Sequence, residues 1–89
     1  MNNYELEELK KEVRNAPKEN LLQLKEYFER EYRTELHSLA TLENSEHLPI
    51  YHVLKVDYLD WLGDNAKKLD VINAELRRME YMKWLAKKH

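Results

Sequence analysis

The chain has 89 residues, with 15 Lys and Arg against 17 Asp and Glu, and no cysteine. The missing cysteines exclude a disulfide framework and a thiolate metal site, and the near balance of charge removes any strong general attraction to nucleic acid or acidic lipid. No apolar run approaches the roughly 18 to 20 residues of a membrane-spanning helix, and nothing near Met1 reads as a signal segment, so the expectation is one cytoplasmic domain over residues 1–89.

A chain of this size buries only about 60 to 65 per cent of the surface it exposes when unfolded, which favours help from a partner.

The first predicted helix opens at Asn2, whose side chain can accept from free backbone amides, with Glu5 at the capping-box position. Leu6, Leu9 and Val13 form its narrow apolar stripe, and it ends near Asn15. Pro17 disfavours helical geometry at Ala16 but suits the first turn of a new helix. The second helix therefore runs from there to about Leu42. Its stripe is Leu21, Leu24, Phe28, Tyr32, Leu36, Leu39 and Leu42, at the three- and four-residue steps that align side chains on one helix face. Its outward face carries Glu26, Glu29, Arg30, Arg33 and His37, with Glu26–Arg30 and Glu29–Arg33 spaced for ion pairs worth a few tenths of a kcal/mol.

Glu43 to His47 reads as a short polar connection, and Pro49 as another helix start. From Pro49 to Leu62 the third segment is apolar around a broad arc of Ile50, Tyr51, Leu54, Tyr58, Trp61 and Leu62, and is expected to be the most buried. A strand over Ile50–Val56 is rejected because no second strand candidate exists to pair with it. Gly63, Asp64 and Asn65 resemble a helix stop followed by an N-cap. The apolar stripe nevertheless keeps its phase through Leu69, Ile72, Leu76 and Met79, with Gly63 on the outward side, so both a break and one continuous helix are open. One helix over residues 49–87 is about 58 Å long and protrudes unless the first two helices lie end to end along it or a second subunit covers it. The fold class expected is all-α: an elongated helical hairpin or three-to-four-helix bundle, completed by dimerisation.

Chemistry is sparsely represented. His37, His47, His52 and His89 lack the four-residue spacing of a helical metal pair. Asp57, Asp60 and Asp64 could form a divalent-cation ledge completed by Glu26 and Glu29, but Glu-x-x-Glu recurs throughout the chain and a solvated edge is the simpler reading. A single glycine excludes phosphate-cradling loops and a nucleophile elbow, and neither Ser38 nor Ser45 has the context of a nucleophile. No catalytic, cofactor or metal residues are therefore assigned, and an enzyme is not expected.

Charge divides unevenly, with net −4 over residues 1–47 and +2 over residues 48–89. Lys67, Lys68, Arg77, Arg78, Lys83, Lys87 and Lys88 concentrate the positive excess. They suggest a nucleic-acid-binding regulator as an alternative, although Asp70, Glu75 and Glu80 interrupt the basic face. Met79, Tyr81, Met82, Trp84 and Leu85 surround the last helix, so one neighbouring helix cannot cover them all, and Trp, Tyr and Met are enriched at recognition surfaces. The sequence thus points to a non-enzymatic adaptor, regulator or inhibitor that binds another protein through Tyr81, Met82, Trp84, Leu85, Arg77 and Arg78.

Overall fold

The computed structural model describes residues 1–88, which form three α-helices and no strand. They are α1 (Asn3–Asn15), α2 (Lys18–Leu42) and α3 (Tyr51–Lys88), with a single 3₁₀ turn at Glu43–Ser45 after α2. Asn2 caps α1 as its side chain predicts, Oδ1 accepting from the Glu5 amide at 2.8 Å. Ala16 is extended, at φ −85° and ψ 144°, as the residue before a proline prefers. Pro17 accepts the first α2 bond, from the Leu21 amide at 3.2 Å, and its own missing donor costs nothing there.

The helix does not stop at Gly63. No residue among those described other than glycine has positive φ, and neither does Gly63 itself; α3 runs uninterrupted for 38 residues, about 57 Å at 1.5 Å per residue. Of the two open readings the continuous helix holds, and Asn65 is buried inside α3, its Nδ2 donating to Glu35 Oε2 at 3.0 Å. Packing along the seam outweighs the roughly 1 kcal/mol that a mid-helix glycine costs.

Nor do α1 and α2 lie end to end. α1 runs alongside α3 from the level of Asp64, which the Met1 nitrogen approaches at 2.5 Å, to that of Glu75 and Arg78, which share a groove with Val13 and Arg14. The chain then reverses at Pro17, and α2 returns antiparallel to α3, from Lys18 beside Glu80 at 2.6 Å to Glu43 beside Tyr51 at 2.6 Å. Three helices therefore overlap only between about residues 64 and 80 of α3. The core sits in that overlap, with one fully buried side chain from each helix, Val13, Leu21 and Ile72, flanked by Leu9, Phe28, Val71, Leu76 and Met79.

On α3 the positions Tyr51, Tyr58, Asn65, Ile72 and Met79 recur every seven residues, the repeat of a helix that winds against a neighbour. Tyr51, Asn65 and Ile72 are buried and the other two half-buried. The molecule measures 63 × 25 × 17 Å with a radius of gyration of 17.1 Å, against about 12 Å for a compact chain of this length.

The first third of α3 is not the most buried part, contrary to its composition. Tyr51 and Leu62 are enclosed, but Val53, Val56, Leu59 and Trp61 are about half exposed or more, as is Ile50 just before the helix. The reason is length. With 13 residues, α1 stops at the level of Asp64, so this stretch of α3 has only α2 to pack against.

Candidate interaction surface

The turn between α1 and α2 lies at the level of Glu80, so the last two turns of α3 extend past both neighbours. Tyr81, Met82 and Trp84 are consequently 58, 52 and 49 per cent exposed, while Leu85 is half-buried. The N-terminal helix does not cover them. Their rings are ordered among themselves: Tyr81 and Trp84 stack with centroids 6.0 Å apart and planes inclined by 24°, and Lys88 Nζ lies 4.3 Å from the Trp84 centroid. A tryptophan held between a tyrosine face and an ammonium loses little further freedom when a partner covers it.

The two arginines expected at this surface separate. Arg77 is exposed and lines a groove with Lys25, Leu76 and Glu80. Arg78 is committed within the chain. Its Nε donates to both Glu75 carboxylate oxygens at 3.0 and 3.1 Å, and its Nη2 to Oε1 at 2.5 Å. Glu75 is only 9 per cent exposed, and the clamp supplies the charge-assisted bonds that its buried carboxylate requires. The Arg78 bonds hold its carboxyl below the ordinary value, burial pulling weakly the other way and Arg14 assisting. Glu80 is also held low, chiefly by the Lys18 ammonium.

At the opposite end, Tyr51 donates its hydroxyl to Glu43 Oε2 and accepts from Lys55 Nζ at 3.2 Å, and Lys55 reaches Glu43 at 3.2 Å. These three groups pin the loop to α3.

The other expectations about charge fare unevenly. Glu26 and Arg30 pair at 3.2 Å, but Glu29 turns to Lys25, 3.9 Å away, rather than to Arg33. Pairs between the acidic and basic halves run in both senses: Lys55–Glu43 joins a base of the basic half to an acid of the acidic half, whereas Lys18–Glu80 does the reverse. Asp57 and Asp60 do not converge with Glu26 and Glu29, and among the described residues no three His, Asp or Glu side chains lie close enough to share an ion. His47 and His52 are exposed, and His89 lies outside the described residues. No described helix is long and apolar enough to cross a membrane.

In the first third of α3, Trp61, and Ile50 just before it, belong to the arc expected to be buried, and the exposure of Val53, Val56 and Leu59 was not anticipated from the sequence. Their signal was present in the unequal helix lengths, since a 13-residue helix cannot screen one three times as long. Comparison with protein-family models, with curated proteins and with solved structures yields no match.

Proposed function

We propose that the chain is a non-enzymatic protein-interaction module, a small helical adaptor, regulator or inhibitor that works by presenting the surface of α3 to another helical protein surface. The observation that carries this reading is the overhang of α3, where Tyr81, Met82 and Trp84 stay exposed on a segment that neither neighbouring helix reaches. Large aromatic and sulfur side chains bury much area for little lost entropy, which is why such clusters dominate binding energy. The grooves elsewhere on the molecule are open furrows between helices. The one of about 430 Å³ between α1 and α3 has the Glu75–Arg78 clamp along its wall, an arrangement that satisfies its own charges instead of offering them to a substrate.

The test is a photo-reactive residue introduced at Trp84 in the native cells, with one at the solvated Glu26 as control. Protein adducts at position 84 and none at position 26 are expected. If position 84 captures no protein, the reading fails. Salt-sensitive binding of random DNA by the purified chain, with no protein adduct, favours instead the nucleic-acid reading of Lys83, Lys87 and Lys88.

A further inference from the structure

A second ridge runs the length of α3 on the face turned away from its seam with α2, two and five residues on from each seam position. Starting at Val53, steps of three and four residues in strict alternation lead to Trp84, the repeat that lets two helices pack side by side. All ten positions on this ridge are exposed. α1 packs on an adjoining flank, around Val71 and Glu75; Asp60 and Gly63 border Met1, and Lys67, Asp70 and Ala74 border α1, yet all five are open to solvent.

We infer that this ridge is the docking surface for a second copy of the chain, arranged antiparallel and related by a two-fold axis near residues 68 and 69. The inference rests on the reading of the chain as an interaction module and names its partner. Charge complementarity sets the register. With Lys67 opposite Asp70 of the second copy, Asp60 falls opposite Arg77 of the second copy, and two-fold symmetry repeats both pairs. Gly63 then faces Ala74 of the second copy, while Val56 meets Tyr81 and Val53 meets Trp84 at the ends. Alternatives are penalised: slipping the copies by one seven-residue repeat sets Asp60 against Asp70 or Lys67 against Arg77, and a parallel arrangement sets every charge against itself. Like charges face to face select against such pairings.

Two independent observations agree. Gly63 is helical, and a Cβ built there meets nothing within 4 Å, so one copy alone has no use for a residue that costs its helix about 1 kcal/mol. Opposite Ala74, it lets two backbones approach closely. The chain also exposes 6815 Å², whereas a compact monomer of 10.9 kDa exposes about 5,600 Å². The excess of about 1,200 Å² exceeds the roughly 800 Å² that each partner contributes to a stable interface.

The experiment is sedimentation of the full chain across a concentration series, alone and as Asp60→Arg, Arg77→Asp and the double variant. Each single reversal is expected to weaken self-association at least about tenfold, and the double variant to return it to within about threefold of the parent, because opposite charges again face each other across both layers. Circular dichroism should show all four chains equally helical, since both positions are exposed. The chain lacks cysteine, so Val56→Cys copies mixed with Tyr81→Cys copies should oxidise to a covalent heterodimer. Neither alone should do so, because antiparallel pairing holds two copies of position 56 about 37 Å apart. A folded monomer at every concentration overturns the self-pairing; if position 84 still crosslinks a different protein, the interaction reading survives it, and if it crosslinks nothing, both fall. A dimer indifferent to the charge reversals overturns the register.

Discussion

Replacing Gly63 with alanine should stabilise the folded monomer. Gly63 lies in the interior of α3, far from either end, and its backbone is ordinary right-handed helix. An added methyl meets no atom within 4 Å, so there is neither a steric penalty nor a packing gain, and the change reduces to helix propensity and the lost freedom of the unfolded chain. Together these are worth about 1 kcal/mol. With an unfolding entropy of about 2 cal/mol/K per residue, a chain of 89 residues should melt about 5 °C higher. The assay is thermal unfolding followed by circular dichroism at concentrations low enough to keep the chain monomeric. An unchanged or lowered midpoint would refute the continuous helix, since a kink or break at Gly63 is what makes glycine the better residue. At higher concentrations the advantage should shrink, because the new methyl is then pressed against Ala74 of a second copy.

Ile72→Ala should cost about 2 to 5 kcal/mol and sharply lower the urea midpoint, because Ile72 is one of three fully buried core side chains among the described residues. Asn65→Ala removes the bond to Glu35 and should lower stability by about 1 kcal/mol, read from the urea midpoint. Glu75 carries a pH signature: its folded carboxyl lies below the ordinary 4.5, so its contribution is complete above that value and lost as pH falls through the lower, folded one. The urea midpoints of the parent and Glu75→Gln should therefore differ most near neutrality and converge in acid. Donation to Glu43 raises the Tyr51 phenol above 10, against a smaller opposing effect of Lys55; Glu43→Gln should bring its spectrophotometric titration back down.

Much of the local structure was legible because it is written in short-range chemistry. Asn2, Pro17 and the polar stretch after Leu42 mark boundaries that recur in the folded chain within a residue or two, since capping and proline geometry depend only on neighbours. The segment Gly63–Asn65 stays ambiguous in the sequence for the same reason. A Gly-Asp-Asn triplet is a local stop signal, and only the carboxylate of Glu35, thirty residues earlier, turns that asparagine into a buried part of the seam. The aromatic end of α3 was legible as a surface too large for one neighbour; the unequal helix lengths imply that part of α3 stays bare, but that the bare part includes Val53 and Val56 depends on which end of α3 the short α1 packs against. Arg78 likewise looked available until Glu75 was found beside it at 2.5 Å.

The sequence by itself determined that the chain is helical, through apolar stripes whose three- and four-residue period no strand can use. It also set the lengths of α1 and α2, through caps and prolines acting over a few residues, but left open whether α3 continues through Gly63. Tertiary structure alone decided that α1 doubles back beside α3 instead of extending α2, because that choice depends on which apolar faces meet at the reversal around Pro17. From this one packing decision follow the position of the core, the bare first third of α3 and its overhanging aromatic end. Burial is a property of pairs of helices, and no single helix encodes where its neighbour stops.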